Sequence, residues 1–556
     1  MTRPVRKSRC WLSLLLIGSL FGGAAFEAER QESQPQSRAE RTNYTETSRY
    51  QDVMDFLAAV QRLNDRVQVT SFGTTSEGRA LPLVIVADPP VYQPRQALAS
   101  GKLIVFVMGN IHAGEVEGKE ACLHLIRDIA IGPLRSLLND LIVLVAPIYN
   151  ADGNERISTE NRPDQKGPVG GVGIRTNARE LDLNRDFMKL ESPEANALVR
   201  QIFNRWDPHL TVDLHTTNGS HHGYALTYAP PLNPNSHPAV IAYLRQTMLP
   251  AITRVMDQRY HYKTYFYGNF IDPHNPSKGW ATFDHRPRFG NNYLGLRNRL
   301  TILSEAYAYN DFRTRVDATQ KFVLSILEFS AHHASQMREV IQRAERETIA
   351  RGLAPKPSDQ LGLVFGIKPL DQPVEILANK VVAETDPRTG QTTDRPSAEM
   401  VTYRTQDFGL FEATKKIPLP RAYLLPRDQR PIVDKLLAHG IVVEELTEPL
   451  TVEVEAFIVQ EVKRASRPFQ GHHETSLRGA FQNQRIEFPA GSFLVPMAQP
   501  NANLTFYLLE AESDDGLVNW NVFDEYLTAH RRADDTIVYP VYRLHQAVAV
   551  ARRVLD

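Results

Sequence analysis

The stretch VFVMGNIHAGEVEGKEACLHLI, residues 105–126, places a histidine and a glutamate between an apolar run and a helical pattern. The apolar run is typical of a buried strand, and it ends at Gly109. The segment EGKEACLHLIRDIA, residues 117–130, then repeats apolar residues on one helix face. His112 and Glu115 are therefore predicted to lie at the edge of a sheet, where a strand gives way to a helix.

Strands and helices alternate on both sides of this stretch. The predicted strands are largely apolar and follow the order VQVTSF, LPLVIVA, KLIVFVMG, LIVLVAPIYN, LTVDLH and RLTILSEAY. Helical periodicity marks the connecting segments PEANALVRQIFNRW and ATQKFVLSILEFSAHHASQMREVIQRAERE. Apolar strands separated by helices predict an α/β domain whose sheet is covered on both faces.

The chain divides into two regions that differ in their predicted secondary structure. Its 556 residues exceed the size of one ordinary core. The alternating pattern ends near residue 350, and later stretches such as EPLTVEVEAFIV and LTFYLLEAE favour strands. We predict an α/β domain at residues 49–345 and a β-rich C-terminal domain of unassigned role at residues 346–556.

Composition and charge narrow the class of protein. The sequence is 42% hydrophobic and 23% charged, which is typical of a globular protein. Its 63 Lys and Arg residues balance 64 Asp and Glu residues. Since nucleic-acid binding usually needs a basic excess, we expect no nucleic-acid partner.

The N-terminus has the pattern of an export signal. Four basic residues precede the sixteen-residue apolar stretch WLSLLLIGSLFGGAAF, which holds small residues near its end. This order predicts a signal peptide at residues 1–25, followed by a polar linker at 26–48. The alternative is a retained membrane anchor, but the run is shorter than the ~20 residues that a span needs. We expect an exported protein, periplasmic or secreted, with no stable membrane span after cleavage.

One cysteine remains once the predicted signal peptide is removed. Cys122 has no second thiol with which to form an internal disulfide. It lies on the apolar face of the helix predicted at residues 117–130, so we expect a buried structural thiol.

Polar residues occur at four places at or just after the ends of predicted strands. They are His112 with Glu115, Asn184 with Arg185 in LDLNRDF, His215 in LTVDLHTT, and Glu305 in LTILSEAY. In open α/β sheets, ligands bind at the edge formed by the carboxyl ends of the strands. We therefore expect these side chains to share one site.

The residue types at this edge suit a catalytic metal. Catalytic zinc takes three nitrogen or oxygen ligands from the protein, and two histidines with one glutamate are a known set. His112, Glu115 and His215 supply that set, which predicts one Zn²⁺ per chain. Glu305 then has no ligand role and is suited to accept a proton from water as a general base.

The four motifs occur in an order that resembles the zinc carboxypeptidases of the peptidase M14 family. HAGE at 112–115 is followed by LDLNRDF, DLHTT and LSEAY, and the upstream GTTSEGRALPLVIVA also looks like that family's opening hairpin. The resemblance extends from about Tyr50 to Ser335. It implies a zinc-carboxypeptidase-like α/β/α domain with a mixed central sheet. It also implies hydrolysis of the C-terminal bond of peptides or proteins with a free C-terminus.

The resemblance assigns roles to the residues at the sheet edge. His112, Glu115 and His215 match the zinc ligands, and Glu305 matches the general base. Asn184 and Arg185 match the pair that holds the terminal carboxylate of the substrate, a task that suits a guanidinium because it donates two hydrogen bonds.

Two further roles in the family have more than one candidate here. For the arginine that faces the oxyanion, Arg175 is the first choice and Arg162 the second. For the mobile tyrosine, Tyr293 is the first choice and Tyr307 competes with it. The segment NPSKGWATFDHRPRFG looks like an active-site loop without assigned residues.

The sequence also departs from the pattern of the best-known members. Gly114 stands where they have arginine, and Asp186 stands where they have asparagine. These departures bear on which terminal residue is cleaved. His221 and His222 are expected to line the cleft or to bond to the backbone rather than to bind metal.

Two other functions share the same motifs. The first is a zinc deacylase of the aspartoacylase and succinylglutamate desuccinylase type. The second is a non-catalytic protein of the same fold that binds peptides or cell wall. The long segment FDHRPRFGNNYLGLRN and the export signal disfavour the deacylase, and the complete set of ligands and base disfavours the non-catalytic protein.

Overall fold

The computed structural model describes residues 34–385, 388, 392–531 and 536–555. The predicted signal peptide at 1–25 and the start of the predicted linker lie outside this part of the chain. Within it, no helix has the length and apolar character needed to cross a bilayer.

Eight of the described strands form one mixed sheet, in the spatial order β1-β2-β4-β3-β5-β10-β6-β7. The strands of this N-terminal region, in chain order, are β1 (Val67–Thr74), β2 (Ala80–Val86), β3 (Leu103–Gly109), β4 (Leu141–Ala146), β5 (Leu210–Thr217), β6 (Leu226–Ala229), β7 (Thr264–Phe266), β8 (Asn269–Phe270), β9 (Trp280–Ala281) and β10 (Leu300–Tyr307). The central strands β4, β3, β5 and β10 are parallel, β1 and β2 are antiparallel to their neighbours, and β6 is antiparallel to β10 but parallel to β7. The predicted α/β class with a mixed sheet is confirmed.

The helices cover the sheet and connect its strands. In chain order they are α1 (Arg38–Arg41), α2 (Tyr50–Leu63), α3 (Pro94–Ala99), α4 (Glu117–Ala130), α5 (Ala151–Glu155), α6 (Pro193–Ala197), α7 (Pro238–Ala242), α8 (Leu249–Tyr260), α9 (Gly290–Leu296), α10 (Phe312–His332), α11 (Ala334–Leu353), α12 (Arg430–Ala438), α13 (Ala502–Leu509) and α14 (Asp524–Ala529). Turns of π-helix continue α6 over Leu198–Phe203 and join α7 to α8 over Tyr243–Met248. Short 3₁₀ helices span Pro133–Asn139, Leu183–Arg185 and Pro276–Lys278.

One face of the sheet packs against helices of the N-terminal region. Leu103, Val105 and Val107 of β3 belong to a buried cluster that includes apolar residues of α2, α4, α8 and α10. Cys122 of α4 is part of this cluster, and burial raises the pKa of its thiol well above the ordinary value. Because side chains alternate along a strand, the intervening residues of β3 point to the opposite face of the sheet.

The opposite face of the sheet packs partly against the C-terminal region. Ile104, Phe106 and Met108 of β3 share one continuous buried cluster with Tyr423 and Phe506. The central sheet is therefore enclosed from one side by its own helices and from the other by residues much later in the chain.

The C-terminal region is rich in strands, as predicted. They are β11 (Gln360–Lys368), β12 (Val374–Thr385), β13 (Thr392–Thr405), β14 (Asp407–Phe408), β15 (Leu410–Pro418), β16 (Ala422–Leu425), β17 (Glu444–Leu446), β18 (Leu450–Arg464), β19 (Thr475–Phe488), β20 (Phe493–Pro496), β21 (Ile537–Leu544) and β22 (Arg552–Val554). Seven of them form a sheet in the order β19-β18-β21-β16-β20-β17-β22, and β11 with β15 and β12 with β13 form two ribbons. Strand β14 pairs with β9, which joins the two regions through backbone hydrogen bonds.

The structure differs from the sequence prediction at two places. The single helix expected near residues 317–347 is two helices that meet at His333, and the second continues to Leu353, past the predicted boundary at 345/346. The second half of the predicted linker is packed rather than extended, because the buried Glu120 accepts hydrogen bonds from Thr47 and Ser48. The division into domains itself stays a prediction.

Candidate metal centre and active site

His112 and Glu115 lie on a single turn between β3 and α4. The backbone N–H of Glu115 donates to the carbonyl of His112 at 2.9 Å, which brings both side chains to the same side. Gly114 lies between them in a confined space. A Cβ on Gly114 would lie 2.7 Å from Cδ of Arg162 and 3.0 Å from the carbonyl oxygen of Gly173. The departure from the family pattern at residue 114 therefore has a steric reason in this chain.

His112, Glu115 and His215 converge on one point at the sheet edge. Their potential ligand atoms all lie within 4.8 Å of one another. Nδ1 of His112 lies 3.2 Å from Glu115 Oε1, Nδ1 of His215 lies 3.0 Å from Glu115 Oε2, and the two Nδ1 atoms are 3.2 Å apart. The sequence prediction that these three side chains meet agrees with this geometry.

A carboxylate lies behind each of the two histidines. Nε2 of His112 is 3.0 Å from Asp182 Oδ1, within hydrogen-bond distance. Nε2 of His215 is 2.9 Å from Asp213 Oδ2, an ion-pair distance without hydrogen-bond alignment. Histidines that bind metals are commonly held in this way, because a carboxylate that accepts the outer N–H leaves the other ring nitrogen as a ligand.

The donor set fits a zinc ion. Two ring nitrogens and a carboxylate that point at one another repel through their lone pairs, and a cation between them removes that repulsion. The site is also buried, with side-chain exposures of 4%, 4% and 1% for His112, Glu115 and His215. Burial opposes ionisation of Glu115, but His112 and Arg162 together hold its pKa well below the ordinary value. The site therefore presents a charged carboxylate beside two imidazoles, which suits Zn²⁺.

Glu305 lies beside this cluster without joining it. In the parallel ladder between β10 and β5, Glu305 pairs with His215, so the two side chains emerge on the same face. The side chain of Glu305 makes no hydrogen bond or ion pair with any other residue that the structure describes. Burial raises its pKa to about 8, and the charge of Glu115 also raises it. A carboxyl group in this position can both accept and release a proton.

The two candidate arginines have different environments. Arg162 donates to Glu115 Oε1 at 2.9 Å, to the carbonyl of Thr216 at 2.8 Å and to Gln165 at 2.8 Å, and its side chain is 16% exposed. Arg175 donates to Asp182 Oδ2 from Nε at 2.9 Å, and its side chain is 45% exposed. Its Nη1 lies 3.7 Å from Glu115 Oε1. Arg175 therefore has donors beside the cluster that face open space.

Asn184 and Arg185 lie on the 3₁₀ turn that follows Asp182. Oδ1 of Asn184 accepts a hydrogen bond from the backbone of Gly290 at 3.0 Å, which fixes the amide. The guanidinium of Arg185 stacks on the ring of Phe289 at 3.9 Å and lies 4.0 Å from Asp182. The contact with Asp182 is too long for a hydrogen bond, and Nη1 of Arg185 donates instead to the carbonyl oxygen of Asn184 at 2.8 Å.

Asp186 does not take part in this site. It is fully buried, and its carboxylate accepts hydrogen bonds from Lys189 at 2.9 Å and from the backbone of Ser192 at 2.8 Å. Asp186, the second departure from the family pattern, therefore fixes the chain that precedes α6. The carboxylate of Asp186 does not pair with Arg185.

The structure does not bring Tyr293 to the site, which corrects its place as the first candidate for a mobile tyrosine. Tyr293 is fully buried in the core, and its hydroxyl is hydrogen-bonded to His439 at 3.0 Å and to Arg297 at 3.2 Å. The hydroxyl of Tyr307 accepts a hydrogen bond from the backbone of His222 at 3.1 Å. Its ring stacks on His222 with centroids 4.2 Å apart.

Tyr267 is a polar residue near the site that the sequence did not single out. Burial, together with the charges of Glu305 and Glu115, raises the pKa of its hydroxyl to about 12. The hydroxyl also accepts from Nδ2 of Asn269 at 3.3 Å. Nothing in the sequence marks this tyrosine, because it lies between the short strands β7 and β8, far from every motif.

His221 and His222 lie outside the metal cluster. Both line a cavity of about 580 Å³. His221 stacks on Tyr309 with centroids 4.3 Å apart, and His222 is buried. This placement agrees with the expectation that they line a cleft.

The segment NPSKGWATFDHRPRFG connects the site to the C-terminal region. Arg288 donates to Asp515 from its backbone at 2.7 Å and from Nε at 2.9 Å, and to Glu474 at 2.6 Å. The next residue, Phe289, supports Arg185. The C-terminal region therefore fixes the segment on which the Arg185 side chain rests.

Residues 53–290 match the protein family described as zinc carboxypeptidase, Peptidase_M14. The match includes the three residues of the metal cluster and ends before Glu305. Carboxypeptidase 2 of Trichophyton equinum is 23% identical over 499 residues, which cover 84% of this chain and 81% of that protein. Human carboxypeptidase D is 31% identical over 121 residues, 19% of this chain and 9% of that protein.

Two carboxypeptidases of known structure align with this chain at low similarity. A metallo-carboxypeptidase from Burkholderia cenocepacia aligns with a TM-score of 0.37 and 18% identity, over 50% of this chain and 68% of that one. A carboxypeptidase A from Helicoverpa armigera aligns with a TM-score of 0.39 and 17% identity, over 56% of this chain and 82% of that one.

Proposed function

We propose, from the premise that this chain belongs to the zinc carboxypeptidase family of the peptidase M14 type, that it removes C-terminal residues from peptides or proteins. The observation that carries the proposal is the convergence of His112, Glu115 and His215 at the sheet edge, with Glu305 beside them. Each of these residues has the chemistry that its proposed role requires.

The three convergent side chains would hold one zinc ion per chain. Nδ1 of His112, Nδ1 of His215 and the carboxylate of Glu115 are the proposed ligand atoms. Asp182 and Asp213 orient the two imidazoles from behind. When bound there, zinc would polarise the scissile carbonyl group and make water a stronger acid.

Glu305 is the proposed general base. It takes a proton from the attacking water and then delivers a proton to the nitrogen of the leaving amine. Its position on β10, adjacent to His215 but outside the ligand set, leaves the carboxylate available for both steps. The raised pKa supports proton transfer in both directions near neutral pH.

Arginines of the chain would bind the charges of the substrate. Arg175 stabilises the negative charge that develops on the carbonyl oxygen, because its guanidinium is held by Asp182 and is half exposed. Arg185 and Asn184 hold the terminal carboxylate. The guanidinium of Arg185 is 19% exposed and stacked on Phe289, so little side-chain freedom is lost when a carboxylate binds.

The N-terminal pattern supports export, so we place the enzyme in the periplasm or outside the cell. Its substrates there would be peptides or proteins with a free C-terminus. No nucleic-acid partner is proposed, since the charge is balanced.

One experiment separates the proposal from its two rivals. Purified full-length protein is assayed for zinc content and for the release of C-terminal residues from a peptide mixture. A carboxypeptidase binds zinc and shortens peptides from the C-terminus. A deacylase binds zinc and leaves the peptides intact while it hydrolyses N-acyl amino acids. A non-catalytic protein binds peptides and hydrolyses neither substrate.

A further inference from the structure

The loop between β18 and β19 ends in a tight turn that projects from the C-terminal region. Phe469 and His472 exchange two backbone hydrogen bonds, of 2.8 and 3.0 Å, around a two-residue turn. The turn residues Gln470 and Gly471 have φ angles of 50° and 81°. Both lie in the left-handed region, which is typical of the tightest hairpin turns. The turn therefore holds the side chain of Gln470 in a defined direction.

That side chain reaches across to the N-terminal region. Oε1 of Gln470 accepts a hydrogen bond from the backbone N–H of Asp182 at 2.8 Å, a contact between residues 288 positions apart. A second contact fixes the same turn, since His472 lies 3.0 Å from Glu191 and 3.0 Å from Asn521. The tip of the hairpin is thus attached on both sides of the Asn184–Arg185 turn.

Asp182 is the residue through which several parts of the site are joined. Its Oδ1 lies 3.0 Å from Nε2 of His112 and accepts from the backbone of Asn184 at 2.9 Å. Its Oδ2 accepts from Arg175 at 2.9 Å. A rotation of the peptide at Asp182 would therefore move a proposed metal ligand, the oxyanion arginine and the start of the carboxylate-binding turn together.

The N–H of Asp182 donates to the side chain of Gln470 and not to a backbone carbonyl. The neighbouring N–H of Leu181 bonds to Asn177 Oδ1, and that of Arg185 bonds to the carbonyl of Asp182. An N–H at this half-buried position without an acceptor would favour a different peptide orientation. Gln470 supplies the acceptor from outside the α/β region.

We propose that Gln470 is a positioning residue: by accepting the backbone N–H of Asp182, it holds the Asp182 carboxylate against His112 and Arg175. The role of the C-terminal region is then to complete the metal site, in addition to covering the sheet. This inference rests on the proposed zinc-dependent function.

Gln470→Gly is the test variant. Glycine adopts positive φ without steric strain, so the turn should be kept and the protein should stay folded, which the thermal midpoint of the metal-free protein checks. Zinc affinity is measured on metal-free full-length protein by competition with a chromogenic chelator. We expect the zinc dissociation constant to rise about three- to tenfold, less than the ~10–100-fold typical of direct partners of metal-binding histidines.

Gln470→Glu and Gln482→Ala are the matched variants. The carboxylate introduced by the first substitution would keep an acceptor oxygen at the same reach, so zinc affinity should return to the wild-type value. Gln482 is an exposed residue of β19, and its replacement should change nothing. Loss of zinc affinity in Gln470→Glu equal to that in Gln470→Gly would overturn the inference.

A double-mutant cycle tests whether Gln470 acts through Asp182. Asp182→Asn keeps the backbone N–H but weakens the contact with His112. Gln470→Gly should then add little to the rise in the zinc dissociation constant. Full additivity of the two substitutions would overturn the inference, and so would wild-type zinc affinity in Gln470→Gly. Neither result would affect the proposed function, provided that the wild-type protein binds zinc and hydrolyses peptides. A wild-type protein that binds no zinc would instead refute the proposed function.

Discussion

Glu305 of β10 and His215 of β5 are direct partners in the parallel ladder at the centre of the sheet. The pairing places a carboxyl group beside a proposed ligand, at a distance that the backbone of two buried strands determines. The side chain of Glu305 is therefore held beside the proposed metal site without a hydrogen bond from any other described residue that would compete for its proton. This relationship makes its role separable from that of the metal ligands.

Glu305→Gln should keep the metal and lose turnover. An amide of the same shape cannot accept the proton, so kcat should fall by roughly 10²- to 10⁴-fold. Zinc content by atomic emission and kcat on a peptide substrate are measured on the same preparation. A variant that retains wild-type kcat would show that another residue is the base.

His215→Ala should lose most of the zinc that the wild type holds. Its removal leaves two of the three proposed ligands, and the site no longer meets the usual requirement of three. Zinc per chain is measured after dialysis. His221→Ala is the control, because His221 follows the same strand but lies outside the cluster, and it should retain its zinc. Equal zinc content in both variants would remove His215 from the ligand set.

Arg185→Met should impair cleavage of peptides with a free C-terminus. Loss of a charge-assisted contact with the terminal carboxylate should lower kcat/KM by about 10- to 100-fold. The same peptides with an amidated C-terminus, which the wild type should cleave poorly, should be affected much less. An arginine that merely orders the loop would affect both kinds of peptide alike. Equal wild-type rates on both would contradict the carboxypeptidase assignment.

Tyr267→Phe should reduce activity, whereas Tyr293→Phe should reduce stability. Tyr267 lies close enough to Glu305 and Glu115 for their charges to affect its hydroxyl, so its loss should lower kcat/KM by about tenfold. Tyr293 bonds to His439 in the core, so its loss should reduce stability by about 1–2 kcal/mol and leave kcat/KM unchanged. Steady-state kinetics and urea unfolding distinguish the two. Reversed results would restore Tyr293 as the active-site tyrosine.

Arg315→Met should strongly destabilise the fold. Arg315 and Glu117 are both fully buried and lie 3.3 Å apart, and the guanidinium also donates to carbonyl groups of the chain. Removal of one partner leaves a buried carboxylate uncompensated, which typically costs about 3–5 kcal/mol. Urea unfolding measures the loss. Arg343→Met, at an exposed pair with Glu347, is the control and should leave the midpoint unchanged. A similar midpoint in both variants would contradict this expectation.

The metal cluster was predictable because its residues follow long apolar strands. His112, Glu115, His215 and Glu305 lie at or just after the ends of β3, β5 and β10, and parallel neighbours bring those ends together. The identity of each strand could be derived from its own residues.

Other features depend on contacts that no local pattern contains. Gln470 meets Asp182 across 288 positions, and nothing near either residue indicates the other. Thr47 and Ser48 looked like linker residues because they are polar, yet a buried carboxylate of α4 accepts their hydrogen bonds. Helix α10 ends at His332 without a glycine or proline, and the ring of the next residue, His333, is hydrogen-bonded to the carbonyl of Phe329 at 2.9 Å.

Residues of the C-terminal region supply part of the cover for the sheet that is formed by earlier residues. Phe106 of β3 shares its buried cluster with Phe506 and with Val541 of β21. An incomplete or clipped chain would therefore expose an apolar sheet face and lack the hairpin that bears Gln470. We therefore expect that the α/β region cannot be exchanged or shortened as an independent module.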